Sequence, residues 1–293
     1  MAGTLHVAAP AKVNLHLSVG ATRPDGYHDV ITVLQALELH DTVTLSASRP
    51  FAVSCTPDIG VPAEQNLAYR AAHAMSERFG RALEVSITVE KRIPAAAGLG
   101  GASSDAAAVI YGLDALWGLR ADGTVLAEVA RGLGADVPFF LTGGAALYGG
   151  RGDVLVRRVP SLDCPIVIVR PAEPVSTAAA YAALDALGPS PTLPAEPLIE
   201  ALTSGDVHRA GGLLHNDLTL ASTQLVPSIA DALELLATDT DMLGAAVAGS
   251  GSAVFGMCAS PDAAARLAAT ARRAGFWAVA THAVDHGCRV VTV

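Results

Sequence analysis

Ile93-Pro94-Ala95-Ala96-Ala97-Gly98-Leu99-Gly100-Gly101-Ala102-Ser103-Ser104-Asp105-Ala106-Ala107 is the stretch on which the fold and the chemistry turn. Val85, Ile87 and Val89 alternate just upstream as a strand, and a helix is expected from about Ser103 to Leu116, so the order is strand, small-residue loop, helix. Such a loop lets backbone N–H groups approach an anion, and the helix start adds unpaired donors and the positive end of its dipole. Ser103 and Ser104 add hydroxyls. The plainer alternative is a tight turn with an ordinary Ser or Asp N-cap. A Walker loop requires Gly-Lys, and neither lysine follows a glycine; a dinucleotide loop would need Gly where Ser103 stands. What remains is a phosphate cradle of another kind.

Upstream, 4–8 and 12–19 show period-2 patterning, and 30–39 and 41–47 read as a further strand pair, giving a β-rich layer. Leu67, Ala71, Ala74 and Met75 predict a helix over 66–80, with Asn66 as its N-cap and Gly80 as its stop. Downstream, a second helix near 122–132 and a strand containing Val154, Val156 and Val159 end a first domain near 158. Residues 166–170 then predict a strand and 176–187 a helix, while Pro189, Pro191, Pro194 and Pro197 mark an irregular, exposed connection. Residues 198–236 read as mostly helical, and the tail as strand, Gly turn, strand, helix and strand.

Composition limits the partners. With 28 acidic and 19 basic side chains the formal charge is −9, and the basic set is two lysines, Lys12 and Lys91, plus seventeen scattered arginines. A surface built to read a nucleic-acid backbone needs such cations clustered. At 51% hydrophobic residues the chain can form a large core, yet no uncharged stretch suits a membrane helix: 242–261 is interrupted by Gly244, Gly249, Gly251 and Gly256. The first residues show neither the basic start nor the apolar core of a signal peptide, so a cytoplasmic protein is expected. Cys55, Cys164, Cys258 and Cys288 form no CxxC pair and read as reduced, mostly buried small hydrophobes.

Five further places could carry chemistry. In Pro10-Ala11-Lys12-Val13-Asn14-Leu15-His16-Leu17, strict alternation puts Val13, Leu15 and Leu17 on the core face and Lys12, Asn14 and His16 on the other. A solvated strand edge is the bland reading; lysine scarcity argues for a retained ammonium that pairs with phosphate or carboxylate. Asp136, before Pro138, is either a helix N-cap or a base in an apolar neighbourhood of Val137, Phe139 and Phe140. Asp25-Gly26-Tyr27-His28 is a turn presenting an aromatic ring and an imidazole, and Ala248-Gly249-Ser250-Gly251-Ser252-Ala253 is a second glycine turn. His282, Asp285, His286 and Cys288 resemble a metal set, but the strand pattern at 279–284 separates the two histidines.

Taken in order, Pro10 to Asn14, Asp25 to His28, Pro94 to Ala107, Leu133 to Leu141 and Gly249 to Gly251 resemble the superfamily of galactokinase, homoserine kinase, mevalonate kinase and phosphomevalonate kinase over essentially the whole chain. The resemblance implies an α+β fold, with a ribosomal-protein-S5-like domain over 1–158, a ferredoxin-like domain over 159–293 and a site between them. It implies ATP with Mg2+, the nucleotide lying on Asn66, Pro94, Gly98, Leu99, Gly100, Gly101, Ser103 and Ser104, with no protein ligand assigned to the metal. The Pro-Ala-Lys-Val-Asn start, the Asp-Gly-Tyr-His turn and the Gly-Ala-Asp-Val-Pro-Phe segment resemble the branch whose acceptor is a cytidine diphosphate methylerythritol, an intermediate of non-mevalonate isoprenoid formation. Tyr27 and Tyr181 would then sandwich cytosine, and His28 would read its polar edge. Asn14, Gly249, Ser250 and Gly251 would complete the acceptor site, and Lys12 and Asp136 would flank the reacting hydroxyl. Another kinase of the superfamily, or a nucleotide-binding protein without chemistry, are the alternatives; a monomer or homodimer is expected, with no nucleic-acid or membrane partner. Ala96 and Ala102 stand where relatives often have Gly, which implies a stiffer loop, and Asp105 stands where Asn is frequent.

Overall fold

The computed structural model describes residues 3–292 apart from 49, 59, 189 and 190; Pro189 of the expected connection thus lies outside the described residues. Where two pairs of strands were expected, the chain forms two long ones, β1 (Thr4–Thr22) and β2 (His28–Ala47), antiparallel with Leu5 opposite Leu45 and Leu17 opposite Thr32. Register shifts at Pro10/Lys12, Asn14/His16 and Val19/Thr22 absorb the breaks in pattern. Pro10, which cannot donate to a ladder, is carried at one of these irregularities rather than ending the strand.

The remaining elements of the first half are β3 (Ala52–Thr56), α1 (Leu67–Phe79), β4 (Val85–Glu90), α2 (Gly101–Trp117), α3 (Gly123–Arg131), α4 (Val137–Thr142), β5 (Ala145–Gly149) and β6 (Val154–Val159). Asn66 caps α1 by accepting from the Ala68 N–H at 2.9 Å, and Gly80 ends it in the left-handed conformation. Helix α2 starts two residues earlier than expected, on Gly100 at φ +74°, with no side-chain cap, so neither serine nor Asp105 serves that role.

In the second half are β7 (Pro165–Arg170), α5 (Thr177–Leu187), α6 (Glu196–Ser204), α7 (Val207–Gly212), β8 (His215–Asn216), α8 (Thr219–Leu225), α9 (Ser228–Ala237), β9 (Met242–Val247), β10 (Val254–Cys258), α10 (Pro261–Arg273), β11 (Trp277–His282) and β12 (Arg289–Val291). Pro197 belongs to the first turn of α6 and not to the irregular connection, since a helix start loses nothing by lacking that N–H.

One sheet runs β12-β1-β2-β4-β3, with β5 also on β2, β6 on β5 and the short β8 parallel to β1; the other runs β11-β7-β10-β9, all antiparallel. Thus 215–216 and 289–291 return to the first sheet. Leu34, Leu45, Met75, Ile87, Ile110, Phe139 and Phe140 fill the core between that sheet and α1–α4. Strand β7 shows the period-2 rule on both faces: Ile166 and Ile168 pack with Val13, Leu15 and Phe255, while Val167 and Val169 pack with Ile229, Leu236 and Leu267. Burying each such side chain contributes about 1.5–3 kcal/mol. Between the two sheets β1, the loop after β4 and the β9–β10 turn converge.

Candidate active site

A cleft of about 1020 Å³ lies at that convergence, and both lysines of the chain line it. Lys12 is a side chain that water barely reaches, not a solvated edge. Its Nζ donates to Asn14 Oδ1 at 2.8 Å, Asn14 Nδ2 donates to Thr32 Oγ1, and the Thr32 hydroxyl donates to the His16 carbonyl, so the ammonium stands at the end of a buried chain of hydrogen bonds. The register shift between Asn14 and His16 breaks the expected alternation. Lys12 and Asn14 face the cleft, but Leu17 lines it and His16 does not; His16 Nε2 donates to the Leu193 carbonyl, its ring lies tilted 5.3 Å from that of His215, and burial lowers its pKa.

Asp136 immediately precedes α4, yet its side chain makes no capping bond. Instead Oδ2 lies 3.7 Å from Lys12 Nζ, with 36% of the side chain accessible against 5% for Lys12. The expected apolar enclosure is therefore corrected: Val137, Phe139 and Phe140 point into the core, and the carboxylate stands at the cleft surface held by a buried cation.

The glycine loop expected to bind phosphate is shaped by packing as much as by permissiveness. A Cβ on Gly98, at φ +77°, would lie 1.8 Å from the Ala248 carbonyl oxygen, and one on Gly100 would lie 2.6 Å from the Phe140 ring. Leu99 O accepts from the Lys12 N–H at 3.0 Å, and Ala97 O from the Ala253 N–H at 3.2 Å, so the loop is fastened to β1 and to the second glycine turn. Ala96 sits at φ +52°, a left-handed conformation that costs a non-glycine residue about 1–2 kcal/mol, so the alanine that stiffens the loop also strains it. The first backbone bond of α2 is Ser104 N to Gly100 O, which leaves the preceding N–H groups as first-turn donors toward the cleft.

The cleft collects Asn66, Pro94, Gly98, Leu99, Gly100, Gly101 and Ser103 from the nucleotide expectation and Asn14, Tyr27, His28, Tyr181, Gly249 and Ser250 from the acceptor expectation. Two expected residues fall outside. Ser104 is fully buried with its hydroxyl unpartnered, because in a helix already running from Gly101 consecutive side chains point about 100° apart. Gly251 faces Ile229, Val247 and Val175 in the core. At the other end of the cleft, Tyr181 pairs with His28, not Tyr27: their rings are 5.2 Å apart at 29°, and His28 Nε2 meets Asp185 Oδ1 at 2.8 Å. Tyr27 is 58% exposed with the Arg151 guanidinium 5.0 Å above its ring. Burial, reinforced by Asp136, pushes the Tyr181 hydroxyl up to about 12, which keeps it a neutral phenol.

The family models for the GHMP kinases N terminal domain and the GHMP kinases C terminal domain match residues 66–144 and 198–276. A 4-diphosphocytidyl-2-C-methyl-D-erythritol kinase of Streptomyces coelicolor is 40% identical over 278 residues, 92% of each chain, and one of Gloeobacter violaceus is 39% identical over 87% of this chain and 85% of its own. The crystal structure of a 4-(cytidine 5'-diphospho)-2C-methyl-D-erythritol kinase superposes with a TM-score of 0.82 at 37% identity, covering 95% of this chain and 99% of its own. The chain belongs to the 4-diphosphocytidyl-2-C-methyl-D-erythritol kinase family of GHMP kinases. A homoserine kinase from Cytophaga hutchinsonii, with TM-score 0.78 at 20% identity, shares the fold.

As a GHMP kinase the chain is an ATP-dependent small-molecule kinase with mixed α and β structure. No helix among the described residues is long and apolar enough to cross a membrane. Beside Asp105, which the sequence singles out, the cleft is lined by Lys91, to which the sequence assigns no role. Lys91 Nζ lies 2.5 Å from Asp41 Oδ2 and 2.6 Å from Asp105 Oδ2, while Asp41 Oδ1 accepts from the Arg92 and Ile93 N–H groups. The rarity of lysine that drew attention to Lys12 applies equally to Lys91. The suggested metal set is dispersed: His282 bonds Asp163, His286 the Gly287 carbonyl, and the buried Cys288 the Ser104 carbonyl.

Proposed function

We propose that the cleft transfers the γ-phosphoryl group of ATP to the 2-hydroxyl of 4-diphosphocytidyl-2-C-methyl-D-erythritol, a step in non-mevalonate isoprenoid precursor formation. The observation that carries the mechanism is the Lys12–Asp136 pair at 3.7 Å, set between the phosphate loop and the Tyr27–His28 turn. ATP lies with its phosphates on the N–H groups around Gly98 to Ser103 and its adenosine toward Asn66 and Pro94. The acceptor's cytosine lies among Tyr27, His28 and Tyr181, with Asn14, Gly249 and Ser250 along its length. The acceptor oxygen attacks the γ-phosphorus, its O–P bond forming as the bond to ADP breaks, and Asp136 takes the proton. Lys12, whose Nζ lies 3.7 Å from that carboxylate, offsets charge growing on the transferring group.

Magnesium fits as a companion of ATP. Among the described residues no group of three or more His, Cys, Asp or Glu is arranged to hold an ion, which suits a hard cation that would keep its waters and be carried by the phosphates, so no protein ligand is assigned to it. When bound it supplies neutralisation of the β- and γ-phosphate charge.

The two sheets support reading 1–158 as an S5-like domain and 159–293 as a ferredoxin-like one with the site between them, except that β8 and β12 of the second half pair with β1 of the first. The test is the purified protein with ATP and a panel of alcohols. ADP release with the cytidylyl alcohol and not with homoserine or mevalonate is expected; phosphorylation of homoserine alone would overturn the assignment.

A further inference from the structure

The buried cluster of Asp41, Lys91 and Asp105 has no part in the chemistry above, although it is the most concentrated set of charges in the interior. Its members come from three elements: Asp41 from β2, Lys91 from the residue after β4, and Asp105 from the second turn of α2. All three side chains are nine-tenths or more buried. Lys91 Nζ bridges the two carboxylates, and the second oxygen of Asp41 accepts the N–H groups of Arg92 and Ile93. The phosphate loop leaves β4 at residue 91 and has entered α2 by residue 105. The cluster therefore ties the two ends of the loop to each other and to the sheet, while bonds from Lys12 and Ala253 hold its middle.

We propose that Asp41, Lys91 and Asp105 are positioning residues for ATP, a staple across the mouth of the phosphate loop that holds its N–H groups in the spacing a polyphosphate requires. The inference rests on the reading of 94–104 as that loop. Burial alone would push the Lys91 ammonium down, but Asp105 and Asp41 reverse this and hold it charged. Its charge is thus spent within the protein, and Lys91 acts on ATP through the backbone. Tyr27, His28 and Tyr181 of the acceptor side come from other elements, the β1–β2 turn and α5, and none of the hydrogen bonds of Asp41, Lys91 and Asp105 reaches them. A bulk loss of stability would harm both substrates alike; a staple across the loop affects ATP first. Asp105 Oδ2 accepts from the Lys91 ammonium at 2.6 Å, while its Oδ1 is buried with no hydrogen-bond partner among the described residues.

The test is steady-state kinetics of the intact protein, with the KM for ATP and for the cytidylyl alcohol measured separately beside thermal unfolding, in Lys91→Met, Asp105→Ala and Asp105→Asn. Lys91→Met should raise the KM for ATP about tenfold or more and leave the alcohol's within about threefold, as expected for misplacement confined to one subsite. Asp105→Ala should move the same way by a smaller factor. Asp105→Asn, whose amide oxygen still accepts from Lys91 and leaves Asp41 to balance the ammonium, should recover most of that loss. If Lys91→Met fails to fold, the Asp105 pair decides alone. Equal changes in both KM values, or an Asp105→Ala protein that melts earlier with an unchanged KM for ATP, would overturn the proposal. Wild-type protein that fails to turn over ATP would instead overturn the kinase reading on which it rests.

Discussion

Gly98→Ala tests how closely the two glycine loops must approach. At φ +77° an alanine costs about 1–2 kcal/mol, the amount expected also for Gly80→Ala at φ +61°, where a Cβ meets nothing within 4 Å. At Gly98 the new Cβ would in addition stand 1.8 Å from the Ala248 carbonyl oxygen and 2.8 Å from its carbon. A carbon–oxygen contact settles near about 3.3 Å, so one loop must retreat by about 1.5 Å. The 248–253 turn cannot easily be the one, because Asn216 Nδ2 holds the Val247 and Gly249 carbonyls at 2.7 and 2.8 Å and the Ser222 hydroxyl holds that of Ser250. The phosphate loop must move, and a displacement near 1 Å can cost about 10²-fold in rate. Thermal unfolding and kinetics of the two variants are the assay. Gly98→Ala should lose roughly 2–4 kcal/mol, against about 1–2 for Gly80→Ala, and about 100-fold in kcat/KM for ATP. A Gly98→Ala protein as stable as Gly80→Ala and active within about twofold of wild type would refute the packing argument.

Three further outcomes follow from the same geometry. Tyr27→Ala should raise the KM for the cytidylyl alcohol by roughly 5-fold or more, from the loss of about 1–3 kcal/mol of base stacking, with the KM for ATP nearly constant; equal effects on both would remove Tyr27 from the base site. Burial first, then Asp41, pushes the Asp105 carboxyl up from 3.8 to about 7 against the pull of Lys91, so the folded chain keeps a proton between those values that the unfolded chain releases. That stabilising contribution is complete below pH about 4 and lost as pH rises through about 7; Asp105→Asn should therefore flatten the decline in unfolding free energy between pH 4.5 and 8 by up to about 4 kcal/mol, and parallel urea curves for the two proteins would contradict it. Lys12→Met, which leaves the Asp136 carboxylate without its cation, should lower kcat by about 10²-fold or more while the protein still folds; retained turnover would show that Lys12 only fills space.

The strand–glycine loop–helix order around 94–104, the cap on Asn66 and the stop at Gly80 were legible because each depends on neighbours within a few residues. The pairing of Lys12 with Asn14 was legible from period two, but only as far as the next irregularity: the shift before His16 turns Leu17 toward the cleft, and no local residue announces it. Ser104 was misplaced by a helix start two residues off, enough to rotate a hydroxyl from solvent into the core. The Asp41–Lys91–Asp105 staple was not legible in position, since its members lie 50 and 14 residues apart and meet only because β2 pairs with β4, Thr42 opposite Glu90. Lysine rarity marked the residue without marking its partners.

In the proposed reaction Asp136, held by Lys12, takes the proton of the acceptor hydroxyl. The most direct measurement is turnover of Asp136→Asn with ATP and the cytidylyl alcohol, read beside calorimetric binding of ATP to the same protein. Loss of about 10²–10⁴-fold in kcat with the ATP dissociation constant nearly unchanged is expected; turnover within a few fold of wild type, or loss of ATP binding in step with activity, would contradict it.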